Sequence, residues 1–171
     1  MHFNEYRALA QRTSNASLTK AEHVINGALG LCGESGEVAD LVCMNPTAEQ
    51  KAAVVEELGD VLWYCAELAT WLELEPGVPI EGDEWGRVHG ALGLCVAAAS
   101  IADHVKKAYM QGHSVNKIKI ARRVYTVFRI VSELAASVDS TTSNVMGHNI
   151  NKLRKRYPVK FDPDLSINRE A

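Results

Sequence analysis

The chain has 171 residues, 47% of them hydrophobic and 23% charged, with a formal net charge of −3. That length supports one domain of ordinary size or two small halves sharing a core, and the composition excludes a disordered chain. The near-neutral charge supplies no basic field of the kind that draws nucleic acid, so no nucleic-acid partner is expected. Four cysteines (Cys32, Cys43, Cys65, Cys95) lack CxxC spacing and sit in apolar helical contexts. They read as buried free thiols of a reducing compartment rather than a disulfide or zinc framework. No basic n-region followed by an apolar h-region opens the sequence, and the run Ala91 to Ala102 is too short to span a bilayer. A cytoplasmic location with no membrane partner is the expectation.

Taken in order, His2 to Arg12 places Phe3, Tyr6, Leu9 and Ala10 at helical spacing and ends near the polar Thr13-Ser14-Asn15. Thr19 followed by Glu22 has the capping-box arrangement and predicts the next helix start. That helix carries Val24, Ala28, Leu31, Val38, Leu41 and Val42 and stops before Asn45-Pro46. Thr47 is placed to cap a third helix through Val54, Leu58, Val61, Leu62, Cys65, Leu68 and Ala69. Pro76-Gly77-Val78-Pro79, with Gly82 beyond, is the clearest break. Strand signals are nearly absent: β-branched residues fall at helical spacing, and no Asn-Gly or Asp-Gly hairpin turn occurs. The last helical stretch, roughly Asn144 to Tyr157, is dense in donors, and the polar tail from Pro158 is expected to be less ordered.

An internal repeat crosses the break. Gly27-Ala28-Leu29-Gly30-Leu31-Cys32 returns letter for letter as Gly90-Ala91-Leu92-Gly93-Leu94-Cys95. Ala39-Asp40 recurs at the same offset as Ala102-Asp103. Glu67-Leu68-Ala69 recurs as Glu133-Leu134-Ala135, three positions out of step, which fits a longer loop in the second copy. These matches predict an all-α bundle of two repeated helical hairpins, a pseudo-dimer, with one basic C-terminal helix. The boundaries read as 1–75 for the first half, 76–83 for a linker, 84–140 for the second half and 141–171 for the basic helix and tail.

The first half carries the chemistry. Glu34 and Glu37 lie three residues apart on one helix, and Glu57 and Asp60 lie three apart on the next, so each pair shares a face. Antiparallel packing then makes four carboxylates converge, at high electrostatic cost unless a cation neutralises them; all-oxygen donors suit Mg²⁺ or Mn²⁺. In the second copy the corresponding residues are Ala97, Ser100, Arg123 and Thr126, while apolar positions are kept (Leu29 with Leu92, Val61 with Val127, Leu62 with Phe128). Selective loss of the acids argues that they are functional rather than solvated helix faces. The same comparison makes Asp40, which recurs as Asp103, structural or at most an auxiliary ligand. Glu56 reads as a surface residue or a neighbour that tunes the site, Arg122 and Arg123 as solvated residues or phosphate partners, and Trp63, Tyr64 and Trp71 as packing on the core stripe. No HxxE or ExxH pair accompanies the acids, which counts against a di-iron carboxylate bundle.

Glu34-Ser35-Gly36-Glu37 and Glu57-Leu58-Gly59-Asp60-Val61-Leu62-Trp63 together resemble the ExxE…ExxD signature of the all-α nucleoside triphosphate pyrophosphohydrolases, the MazG-like group. Asn149 to Pro158 resembles that family's closing motif, and Asn4-Glu5-Tyr6 with Leu9-Ala10 its opening. The resemblance implies hydrolysis of a (d)NTP to the monophosphate and pyrophosphate, for pool sanitation or remodelling, by a bundle that assembles as dimers or tetramers. It implies that Glu34, Glu37, Glu57 and Asp60 hold Mg²⁺, with Mn²⁺ as substitute, and that Glu34 or Glu37 acts as general base. It further implies that Asn149, Lys152 and Arg156 contact phosphate oxygens. Ordinary members close each hairpin with such a helix, whereas here two hairpins share one. The expectation is a fused pair of protomers with one working site, able to pair again into a pseudo-tetramer. The alternative is a nucleotide-binding regulatory relative with little or no turnover.

Overall fold

Helix-forming sequence becomes helix throughout. The computed structural model describes residues 1–43, 47–74 and 89–168, among which no strand occurs. The elements are α1 (Phe3–Ala10), a 3₁₀ turn (Gln11–Thr13), α2 (Lys20–Val42), α3 (Ala48–Trp71), α4 (Gly90–Met110), α5 (Lys117–Ser137), α6 (Thr142–Arg156) and α7 (Pro163–Ile167). The expected stop at Asn45-Pro46 and the break at Pro76–Pro79 and Gly82, with the linker 76–83, lie outside the described residues.

The helix starts follow from local chemistry. At α2 the Thr19 Oγ1 accepts from the Glu22 amide at 3.3 Å, and Glu22 Oε2 accepts from the Thr19 amide at 2.7 Å. Thr47 and Gln50 make the same reciprocal pair at the start of α3. Each box satisfies two amides that a helix end otherwise leaves open, and such a cap contributes about 1 kcal/mol.

Helices α2 and α3 pack antiparallel: Gly27 meets Leu68 at one level and Gly30 meets Tyr64 at the next. Helix α2 also packs along α4, α4 along α5, and α6 and α1 close onto α3. One apolar cluster runs through the bundle, from Val24, Leu31 and Val38 through Leu58 and Leu62 to Leu94, Ile101, Val127, Ile130 and Ile150. The two hairpins thus share a core, and neither has one of its own.

Repeated positions have repeated environments. Leu29 and Leu92 are both exposed, Leu31 and Leu94 both buried, and Val38 and Ile101 both buried. Ala97, in the place of Glu34, is buried as well. Arg123 Nε donates to Ser100 Oγ at 2.9 Å, so the residues standing for Glu57 and Glu37 meet across the second hairpin as a cation and a hydroxyl.

Three details differ from the sequence reading. Cys65 is buried and Cys32 and Cys95 are half-buried, but Cys43 is exposed, because it caps α2 beyond the last turn that faces the core; all four are free. The segment after Pro158 is held rather than loose: Arg12 donates to the carbonyls of Tyr157, Pro158 and Val159, and α7 follows. Helix α6 begins at Thr142, capped by Thr141, one half-turn ahead of the expected start. No described helix is long and apolar enough to cross a membrane.

Candidate functional site

Of the four carboxylates expected to converge from α2 and α3, three come together. Glu34, Glu37 and Glu57 each offer a carboxylate oxygen, and these oxygens lie within 4.8 Å of one another. Burial, followed by the charges of Asp60, Glu37 and Glu57, pushes the Glu34 carboxyl up to about 8. Glu57 is raised as well, by burial first and then by Asp60 and Glu37, with the Lys152 ammonium opposing. Three hard oxygen donors that repel one another, with no histidine or cysteine among them, fit a divalent cation of the Mg²⁺ or Mn²⁺ class.

Asp60 stands beside this trio in a different role. Its Oδ1 accepts from Asn149 Nδ2 at 2.8 Å and its Oδ2 from Lys152 Nζ at 2.5 Å. Lys152 also lies 3.3 Å from Glu56 Oε1, so Glu56 is drawn into the site's charge balance rather than left at the surface. Asn149 is buried, and the Tyr6 hydroxyl donates to its Oδ1 at 2.7 Å. That bond fixes the amide so that its NH₂ faces Asp60. Burial, and then the Asp60 charge, holds the Tyr6 phenol well above its ordinary range, so it stays a donor. Contact between α3 and α6 depends on Gly59: a Cβ there would come within 2.8 Å of Asn149 Cβ. The glycine between Glu57 and Asp60 is therefore what lets Asn149 reach the aspartate.

Two clefts flank the acids. One, of about 280 Å³, is lined by Glu34 and Asp60 together with Trp63, Tyr64, Tyr157 and Phe161. Trp63 Nε1 donates to Thr13 Oγ1 at 3.0 Å, and Tyr64 lies across Gly30, where a Cβ would fall 2.1 Å from its ring. Trp63 and Tyr64 thus pack against neighbours on one side, as expected, and also face a cleft. Trp71 stacks on His23 with ring centroids 3.8 Å apart. The second cleft, of about 690 Å³, is lined by Glu56, His148, Asn151, Lys152, Lys155 and Arg156. Arg156 lines both. Arg122 is exposed, its carbonyl accepting from the Thr126 hydroxyl.

A buried polar cluster missed in the sequence lies behind the aromatic cleft. Glu67 and His23 are each 1% exposed, and His23 Nδ1 lies 2.5 Å from Glu67 Oε1. Ser14 Oγ donates to Glu67 Oε1 and Gln11 Nε2 to Glu67 Oε2, both at 2.9 Å. Three donors compensate a carboxylate that water no longer reaches. The signal was present: Glu67 belongs to the repeat, and its counterpart Glu133 meets His89 at 3.1 Å, with the same sequence separation, on the surface of the second hairpin.

Residues 25–82 match the family model of the MazG nucleotide pyrophosphohydrolase domain. The matched segment takes in most of α2 and all of α3, and with them Glu34, Glu37, Glu57 and Asp60, so this unit is MazG-like as its motifs imply. No curated protein and no solved structure matches the chain.

Proposed function

We propose that this chain, with its MazG-like α2–α3 unit, is a metal-dependent nucleotide pyrophosphohydrolase that converts a nucleoside triphosphate to the monophosphate and pyrophosphate. The observation that carries the reading is the carboxylate trio on α2 and α3, whose Glu34 lines the aromatic cleft together with Asp60, while Lys152, the ion-pair partner of Asp60, lines the cationic cleft. A nucleotide has the same polarity, with a flat base at one end and polyphosphate at the other.

Glu34, Glu37 and Glu57 would hold Mg²⁺, and Asp60, which has lone pairs beyond the two that Asn149 and Lys152 occupy, would complete the set. When bound, the cation supplies polarisation of the phosphoryl oxygens and an acidified water. The protein's own groups do the rest. Asn149 and Lys152 hold Asp60 in one orientation, and Tyr6 holds Asn149. Lys152, Lys155 and Arg156 offer charge-assisted donors to a pyrophosphate leaving group. Glu34 or Glu37 accepts the proton of the attacking water. Trp63 and Tyr64, whose rings stand edge to face at 88°, give the base an aromatic wall. Asn149, expected to touch phosphate directly, serves in this reading through Asp60.

Pyrophosphate release from a panel of NTPs and dNTPs, with Mg²⁺ or Mn²⁺, tests the assignment. Wild type is expected to release pyrophosphate only with metal, and Glu37→Ala to lose about a hundredfold or more of the rate. Metal-dependent nucleotide binding without release would replace the enzyme with a regulatory nucleotide-binding protein, and neither binding nor release would refute both.

A further inference from the structure

Of the 3₁₀ turn between α1 and α2, Thr13 lines the aromatic cleft, and its two preceding neighbours bond to residues that line it. Gln11 donates to Glu67 behind the cleft, and Thr13 receives the Trp63 indole N–H. Between them, Arg12 Nη1 reaches the carbonyls of Tyr157, Pro158 and Val159 at 3.0, 3.1 and 2.9 Å. These carbonyls directly follow α6, where no further helical amides are available to bond them. The guanidinium therefore fixes the direction in which the chain leaves α6.

What the chain does next is informative. Tyr157 is buried, and the Phe161 ring lies against it, centroids 5.4 Å apart. Phe161 and Ser166 line the aromatic cleft, whereas Leu165 and Asn168 line the cationic one. Residues 157–168 thus form a strap that contributes a wall to both clefts, and its aromatic member falls on the side where Trp63 stands.

We infer that Phe161 contacts the base of the bound nucleotide and gives the cleft its preference for ligands that carry a base, with Arg12 as the residue that positions it. The inference rests on the proposed nucleotide reading of the cleft and adds to it a base-binding residue outside the segment that matches the family. An aromatic ring recognises a base by its π face, so Phe161 favours ligands that carry a base over phosphate alone.

The test is calorimetric titration, with Mg²⁺ present, of the four common nucleoside monophosphates and of inorganic pyrophosphate into the full chain. Wild type, Phe161→Ala, Phe161→Tyr and Arg12→Ala are compared. Phe161→Ala is expected to weaken the best monophosphate about tenfold and to leave pyrophosphate binding unchanged. Phe161→Tyr retains binding, and Arg12→Ala weakens the same monophosphate with the same indifference toward pyrophosphate. In turnover, the loss is expected in KM and not in kcat. Absence of monophosphate binding in wild type overturns the inference, as does equal weakening of pyrophosphate or no effect of Phe161→Ala on either ligand. The two readings separate: a wild type that binds monophosphate through Phe161 but releases no pyrophosphate keeps this inference and removes the enzyme.

Discussion

Glu34 is the carboxylate whose protonation reports most directly on the site. Its folded pKa of about 8 lies above its ordinary 4.5, for the reason that burial and then Asp60, Glu37 and Glu57 all disfavour the charge. Between those two values the folded chain holds a proton that the unfolded chain has released. Stability contributed by this group therefore falls as pH rises through that window, and below 4.5 the group contributes no pH dependence. In chelator, the melting temperature is expected to decline over this range, and Glu34→Gln to flatten the decline. A divalent cation favours the ionised form and should also remove it. An unchanged slope in Glu34→Gln, measured by calorimetry at several pH values, would sink the assignment of Glu34 to a shared carboxylate cluster. Tyr6 makes a second prediction at this scale. Tyr6→Phe leaves the buried Asn149 Oδ1 without its 2.7 Å donor and frees the amide to turn. We expect a loss of about 1–3 kcal/mol in denaturant unfolding, with slower pyrophosphate release from a less firmly held Asp60. Full activity with full stability would show that Asp60 needs no such support.

Helices determine what a sequence reader can see. The i, i+3 acids, the Thr19–Glu22 capping box, the Thr47 cap and the core stripes were legible because a helix converts spacing into a face without reference to any other element. The pairs Glu34 with Glu37 and Glu57 with Asp60 were each legible for that reason, whereas their convergence rested on an assumed antiparallel packing of α2 and α3, which the trio of Glu34, Glu37 and Glu57 requires. What spacing does not encode is the register between helices, and the unseen features all depend on it. His23 and Glu67 each sit at an ordinary helical position, and only the alignment of α2 against α3 makes them a pair. Trp63 and Tyr64 follow the core stripe yet lie at its edge, where a cleft begins. The strap escaped notice because α7 has five residues, too few for a period, and its anchor Arg12 is far away in sequence. Gly59 tests the importance of register. Gly59→Ala pushes α6 off α3, because its Cβ would meet Asn149 Cβ at 2.8 Å. A cost of about 1–3 kcal/mol is expected, together with weaker metal binding. A thermal melt and a Mn²⁺ titration on the same sample check both, and a variant that melts like wild type would mean that the interface relaxes freely.

At the scale of the molecule, the question is what a second hairpin without the acids of the first contributes. Its burial pattern follows that of the first, with Leu31 and Val38 answered by Leu94 and Ile101 in one continuous core. Such a pattern supports the proposed duplication, in which one chain supplies both members of what would otherwise be a pair of protomers. In the second hairpin Arg123 and Ser100 meet where Glu57 and Glu37 meet in the first. A cation at that position repels metal, while the hydrogen bond keeps the helices in contact. The second half then has a packing role, contributing the faces on which α2 and α6 are held. This division makes a prediction about counting. In a Mn²⁺ titration followed by electron paramagnetic resonance, wild type is expected to show a saturable class of sites confined to the first half. Glu37→Gln should abolish that class, whereas Arg123→Gln should leave its number unchanged. If Glu37→Gln retained the same number of sites, the second hairpin would be binding metal through groups other than those matched by the repeat. The asymmetric, single-site reading of the chain would then fail.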